Sequence, residues 1–309
     1  VAPSRAERPD DAGLSAGTAD PAAWCPFCAG NEACTPTDVL RIPAGAEAWR
    51  ARIIPNRYPV VAHVAEGMDS APHDFPIRPA HGVHEVVIES PAHERSILAL
   101  DPRAWRDVWE LCRRRMAALA DRDDLAWAMV FKNSGPRAGA SLEHLHSQLV
   151  ALDFVPPFMQ AELAAAEAAT DPFGDLLRAA RSAGRIVAEA GGVVALVPPA
   201  PRQPYETWLV PTDPEPFLHA TTPARIDAVA ELTRMFVARL DQLVAGADYN
   251  WWLHQLPFGR YAAPGLAAKW HWHLEILPRL SPLAGFELGT GCHVTTVSPQ
   301  DSARRLGAG

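Results

Sequence analysis

The chain has 309 residues, 48% of them apolar, enough to bury one large core or two ordinary ones. Its formal net charge of -8 argues against a nucleic-acid binder, which needs a basic face to displace counterions from phosphates; a small anionic substrate needs only a few local donors. There is no run of about 18 apolar residues and no charged-then-apolar leader, and five cysteines are an odd number without framework spacing, so the expectation is a cytoplasmic protein with no membrane span and no export.

Val1 in place of Met implies that leading residues are missing, and thirty prolines predict many short elements. Residues 1–24 read as a polar arm carrying Arg5, Arg8 and Pro9. Cys25-Pro-Phe-Cys28, followed by Ala29-Gly30-Asn31, places two thiols where one metal ion can be held through a tight turn. A redox dithiol is the second reading, although it calls for a helix N-terminus after a strand, and two unrelated cysteines are the third. Residues 52–62 predict a strand, a turn and a strand, with Asn56 either a ligand contact or simply a turn former. A strand is expected over 84–89, then a turn holding His93, then a helix capped by Asp101 with Pro102 at its first position and running to about Ala120. Cys112 inside that helix reads as a small core residue. Residues 127–133 predict a strand opening into the Gly/Ser-rich loop 134–141, which leads to His144-Leu-His146-Ser-Gln148 and a returning strand over 147–152.

Residues 154–190 read as an Ala-rich helical connection, after which the order repeats: strands over 193–197 and 206–210, a helix over 223–244, and strands over 249–256 and 271–277. Equivalent elements lie roughly 120 to 130 residues apart, too far for a solenoid unit and suited to a duplicated domain. Only the first copy has the H-x-H-x-Q pattern with glycines before it.

In an extended segment, residues two apart share a face, so His144 and His146 are expected to project together. One can bind metal while the other, as a neutral imidazole, attacks phosphorus. Gln148 continues that face as a donor to a phosphoryl oxygen, and the loop with Gly135, Gly139 and Ser141 offers N–H groups and a hydroxyl to an anion. Any one of these histidines could equally be a packed one; the combination of spacing, upstream glycines and a cysteine pair favours chemistry.

The stretch from Phe131 to Gln148 resembles the core motif of the galactose-1-phosphate uridylyltransferases and their relatives the ADP-glucose phosphorylases, in the histidine-triad superfamily. The resemblance extends to Arg5–Pro9, Cys25–Cys28, Asn56, Ser90–His93, Gly285–Gly291 and Ser298–Asp301, and so spans nearly the whole chain. It implies an α+β fold of two tandem histidine-triad-like half-domains, mainly antiparallel sheets forming a half-barrel with helices packed outside: 1–170 with the zinc and nucleophile, and 171–309 on the sugar-phosphate side. It further implies a homodimer, a ping-pong reaction through a covalent nucleotidyl-His146, and Gln148 steadying the phosphoryl group. Cys25, Cys28, His93 and His144 match a structural zinc site. Asn56, Asn133, Gly139, Ala140 and Ser141 match nucleotide-binding positions, and Glu287 the sugar-phosphate site.

The departures bear on substrate. Arg57 stands where uridylyltransferases carry an acidic residue able to accept ribose hydroxyls, and His-Leu-His-Ser-Gln replaces their His-Pro-His-Gly-Gln. The Gly285–Gly291 ending looks closer to the phosphorylase branch, and together these departures weaken uridine and galactose specificity. Glu162, His254 and His273 fall where some relatives hold a second metal, with Glu275 in place of a usual histidine; a packed polar cluster is the alternative. The favoured function is transfer of a nucleoside monophosphate from a sugar nucleotide to a hexose 1-phosphate or to phosphate, within galactose or wider carbohydrate metabolism. A dinucleoside polyphosphate phosphorylase or histidine-triad hydrolase, and a non-catalytic zinc scaffold, are the other classes.

Overall fold

The computed structural model describes residues 24–61, 81–262 and 265–308; Arg5, Arg8, Pro9 and Ala62 lie outside them. In chain order the elements are β1 (Leu40–Ile42), β2 (Ala51–Pro55), β3 (Gly82–Ile88), α1 (Pro102–Ala120), β4 (Trp127–Ser134), β5 (His146–Leu152), α2 (Pro157–Ala168) and α3 (Pro172–Ser182). They continue with β6 (Ile186–Ala190), β7 (Val193–Leu196), β8 (Thr207–Pro211), α4 (Pro223–Leu243), β9 (Tyr249–His254), β10 (His273–Pro278), α5 (Gly285–Thr290) and α6 (Pro299–Gly307). No helix among the described residues is long and apolar enough to cross a membrane.

The strands form one open ten-stranded sheet, ordered β1-β2-β3-β5-β4-β9-β10-β8-β7-β6 with every neighbouring pair antiparallel. Counted inward from either edge, both halves have the same order, and β4 pairs with β9 at the join. The mainly antiparallel α+β architecture expected from the sequence is present, with the two halves sharing a continuous sheet.

Strand alternation then sorts the side chains. Val87, Ala128, Val130, Leu149, Ala151, Leu253, Leu274 and Ile276 face α1 and α4 in the main core. Asp101 caps α1 by accepting from the N–H of Arg103 and Ala104, and the helix buries Trp105, Val108, Leu111, Cys112 and Met116, the stripe expected of an amphipathic helix. Thr222 caps α4 in the same way, and Trp105 Nε1 donates to Thr233 Oγ1 at 2.9 Å where the two helices meet. The opposite face carries His84, His146, Gln148, His254 and His273. Helices α2 and α3 cover its second half and the Trp127 and Leu152 ends of β4 and β5, packing Met159, Phe173 and Leu177 with Trp127, Val194, Leu196 and Trp270. The rest of the first half is left to form a site.

Two expectations are corrected. Val60 and Val61 form no strand, because the Val60 N–H is taken by His84 Nδ1 at 3.0 Å and so is not available to a ladder. The connection 154–190 ends in an edge strand, β6, which pairs with β7 through a two-residue Gly191-Gly192 turn, both residues at positive φ. That Gly-Gly pair between apolar runs was a readable hairpin signal. The Ser298–Asp301 motif has a structural role, the Ser298 hydroxyl capping α6 by accepting from the Asp301 N–H.

Candidate active site

His146 is the first residue of β5, so the ring sits at the end of a paired strand rather than on a loop. It lines a cavity of about 370 Å³ together with Phe27, Cys34, Asn56, Arg57, Ser141 and Gln148, among others. Its Nδ1 lies 2.8 Å from the His144 carbonyl, which can only accept. Nδ1 therefore carries the proton, and the neutral ring keeps its lone pair on Nε2, the tautomer an imidazole nucleophile requires.

His144 lies just before β5, outside the strand, so the two histidines do not project together as expected for an extended segment. The turn sends His144 toward Cys25, Cys28 and His93, and one ligand atom from each of the four lies within 4.8 Å of all the others. The His144 Nδ1 is 3.5 Å from Cys25 Sγ and 3.6 Å from Cys28 Sγ, and His93 Nδ1 is 3.7 Å from Cys28 Sγ. His144 Nε2 donates to the Ser90 carbonyl at 2.9 Å, which turns the Nδ1 lone pair to the sulfurs. Burial pushes the His144 pKa down to about 4, keeping the ring neutral, and pushes the Cys28 thiol up to about 11, with Cys25 adding to the rise. Two neighbouring thiols beside two imidazoles are a donor set that a cation completes. Phe27, between the cysteines, lies edge-on to both His144 and His146 at 5.8 and 5.7 Å, so the cluster and the pocket share a wall.

Gln148 follows His146 on the same face, and its Oε1 lies 2.9 Å from His84 Nε2. Because His84 Nδ1 accepts from the Val60 N–H, the His84 proton is on Nε2 and is donated to that oxygen. The amide is pinned by its carbonyl end, leaving its NH2 as the end available to an anion. Asn56 stands beside this pair, its Oδ1 accepting from the Tyr58 N–H at 2.8 Å. Sequence reasoning placed His84 only as a strand residue, and its bond to Gln148 joins residues 64 apart, so no local signal marked it. The His84→Leu variant is expected to lose roughly 10- to 100-fold in kcat, as when the support behind a functional group is removed, with little change in unfolding temperature; steady-state kinetics and thermal denaturation check this.

The glycine-rich loop is held by residues the sequence did not single out. Gly135 is at φ +88, and a Cβ there would lie 2.0 Å from Asp248 Oδ1, so only glycine fits. Asp248 accepts from the Arg137 N–H at 2.7 Å, while Asn250 Nδ2 donates to Asn133 Oδ1 at 2.8 Å and to the Ala138 carbonyl at 2.9 Å. The N–H groups of Ala138, Gly139 and Ala140 close the loop on itself, so Ser141 is the loop residue that lines the cavity. Asn133, Gly139 and Ala140 stand behind it. Glu287 is not among the lining residues; its carboxylate accepts from the Ala284 N–H at the start of α5.

Glu162, His254 and His273 also come together, on the second half of the same sheet face. His254 Nδ1 is 2.9 Å from Glu162 Oε2, His273 Nε2 is 3.1 Å from Glu162 Oε1, and Glu275 Oε1 is 3.5 and 3.6 Å from the two rings. Glu162 Oε2, His254 Nδ1 and His273 Nε2 are buried without a well-aligned hydrogen bond, and one ligand atom from each residue lies within 4.8 Å of the others. Burial opposes charge on His273, but Glu162 and Glu275 outweigh it and hold its pKa at about 10. The sequence expectation of a second donor cluster is met in its geometry, with Glu275 in reach as a fourth member.

A family model described as a domain of unknown function, DUF4921, matches residues 64–308. An ADP-glucose phosphorylase of Arabidopsis thaliana is 31% identical over 307 residues, covering 98% of this chain and 87% of that protein. A galactose-1-phosphate uridylyltransferase of Thermotoga maritima is 25% identical over 297 residues, covering 91% of this chain and 88% of that protein. The crystal structure of an ADP-glucose phosphorylase from Arabidopsis thaliana with bound ADP-glucose superposes with a TM-score of 0.81 at 28% identity, over 99% of this chain and 93% of that one.

Proposed function

The chain belongs to the family of the ADP-glucose phosphorylases and galactose-1-phosphate uridylyltransferases and is a nucleotidyltransferase, and we propose that it works through His146 on a nucleoside diphosphate sugar, with phosphate as the acceptor. The observation that carries this reading is the His146 tautomer, fixed by the His144 carbonyl in a ring that lines the cavity. Nε2 attacks the α-phosphorus, a P–N bond forms, and the P–O bond to the β-phosphate breaks, its electron pair leaving with the sugar 1-phosphate. A phosphate oxygen then attacks the same phosphorus, the P–N bond breaks, and the nucleoside diphosphate departs with the imidazole restored. The Gln148 NH2 and the Ser141 hydroxyl bind the phosphoryl oxygens, while Asn56 and Arg57 line the cavity's nucleoside side. Phosphate is favoured over a hexose 1-phosphate by the 31% identity to a phosphorylase, against 25% to a uridylyltransferase, and by Arg57 where an acidic residue would serve a ribose.

Cys25, Cys28, His93 and His144 would hold zinc, which closes the fold behind the nucleophile. A tetrahedral zinc with Zn–S of about 2.3 Å and Zn–N of about 2.0–2.1 Å separates sulfur and nitrogen by about 3.6 Å, which fits the 3.5 to 3.7 Å found. With four protein donors the shell leaves substrate no open position. Glu162, His254, His273 and Glu275 would hold a second metal. A division near residue 170, a homodimer and a cytoplasmic location complete the proposal. Exposed Phe286, Leu288 and Val294 near the C-terminus supply apolar surface for a second copy, and five free thiols suit a reducing compartment.

The test is incubation with ADP-glucose or UDP-glucose labelled in the α-phosphate, without acceptor, followed by a chase. The expected result is a labelled protein from ADP-glucose, discharged by phosphate as ADP and hardly at all by galactose 1-phosphate. Labelling only by UDP-glucose, or discharge by water alone, would overturn the substrate assignment.

A further inference from the structure

On the sheet face opposite the cavity, directly behind the nucleophile, lies a charged pair that the reaction above does not use. Lys132 on β4 and Glu89, just past β3, are 1% and 0% exposed, and Lys132 Nζ meets Glu89 Oε2 at 2.5 Å. The same ammonium donates to the His146 carbonyl oxygen at 2.9 Å and lies 5.7 Å from the Trp251 ring, while Ser147 Oγ donates to the other Glu89 oxygen at 2.5 Å. Glu89 makes a second tie of its own, its N–H donating at 3.2 Å to the carbonyl of Leu145, the residue before β5. All three ties converge on residues 145–147, the turn of chain that carries the nucleophile.

Its place in the sheet explains why such a fixture is built here. The β4–β5 ladder runs from Trp127/Leu152 to Phe131/Gln148 and stops, because β4 must leave β5 to enter the glycine-rich loop. His146 lies two residues beyond that last pair. From there the Lys132 side chain joins the two strands, and Glu89 anchors it from β3. A buried ion pair is a costly way to hold a core together, since matched apolar side chains do so as well or better. It is suited to fixing one geometry, the role attested for buried polar groups that set register. Burial lowers the Lys132 pKa and Glu89 opposes the fall; charged or neutral, the amine keeps an N–H for the His146 carbonyl 2.9 Å away.

Resting on the reading of His146 as nucleophile, we infer that Lys132 and Glu89 are positioning residues for nucleotidyl transfer: they clamp the His146 backbone where the sheet ladder ends and so aim the imidazole at the α-phosphorus. Neither touches substrate. Loss of the clamp acts on the attack geometry and leaves the nucleotide-binding wall of the cavity in place. A misplacement of about 1 Å at a reacting atom can lower a rate by about 10²-fold.

The experiment compares the wild-type chain, His146→Ala, Lys132→Met, and the double variant K132M/E89Q, which leaves no unpaired charge and keeps an acceptor for the Ser147 hydroxyl. Zinc content and unfolding temperature are measured beside the single-turnover rate of labelled adduct formation and the KM for the sugar nucleotide. The expected result is a double variant that binds metal, reaches the wild-type adduct endpoint, forms it about 10- to 100-fold more slowly at saturation, and keeps KM within about twofold. A rate within threefold of wild type, a parallel change in KM and rate, or loss of folding or metal in both clamp variants would overturn the inference; the last would make the pair part of the fold's support alone. If the wild-type chain forms no adduct at all, the reading of His146 fails instead, so the two failures are distinct.

Discussion

The His146→Ala variant is expected to form no labelled adduct and to lose at least about 10⁴-fold in turnover, since removing a covalent nucleophile removes the step itself and not merely an accelerating contact. Its fold and metal content should persist. The ring bonds to the His144 carbonyl and meets Phe27 edge-on, and it is not one of the four clustered donors. Substrate binding should persist as well, because Asn56, Arg57, Ser141 and Gln148 remain in the cavity wall. The discriminating measurement is intact-protein mass after incubation with ADP-glucose: wild type gains one nucleoside monophosphate and the variant gains nothing. Unchanged labelling of His146→Ala would move the nucleophile elsewhere. Slow turnover without labelling would instead indicate direct attack of the acceptor on bound substrate.

Periodicity and spacing made α1, α4 and most strands legible. In α1 and α4 the cap, the proline at the first position and the apolar stripe agree with one another, and local signals of that kind survive folding unchanged. The H-x-H-x-Q stretch was legible because its residues are close in sequence. The parts that escaped are those in which a tertiary partner decides. Val60 spends its N–H on His84, so a run with strand propensity makes no strand. His144 lies outside the strand, and its neighbours Cys25, Cys28 and His93 come from segments that alternation along β5 could not foresee. His84, Asp248 and Asn250 reach the site across 64 to 117 residues of chain, in contacts that only the register of β3 against β5 and of β4 against β9 brings together. Lys132 looked like an ordinary charged residue at a strand end; its burial follows from β9 laying Trp251 beside it.

The Cys25→Ala variant is expected to lose its zinc and with it on the order of several kcal/mol of stability, because the free energy of closing a structural zinc site is folding free energy. For a chain of this length that corresponds to a fall of roughly 5 to 10 °C in unfolding temperature. Two features set the direction. Cys25 is buried and its carbonyl receives the Cys28 N–H and the Asn31 side-chain amide, so the knuckle is already shaped and the missing sulfur cannot be replaced by a shift of the turn. The remaining three donors would leave a cation with an open position facing apolar surroundings that include Ile54, Val86 and Ile88. Activity should fall with stability, since His144 would lose what holds it, and its carbonyl fixes the His146 tautomer. Cys34→Ala is the control: that thiol is exposed, lines the cavity and lies outside the four-donor cluster, so its removal should spare both zinc content and unfolding temperature. Elemental analysis and calorimetry of protein purified without chelator decide the matter. Absence of zinc from the wild-type chain, or a Cys25→Ala protein as stable as the Cys34→Ala control, would leave the four donors as a packed polar cluster and leave the aim of His146 to the Lys132–Glu89 clamp and the sheet alone.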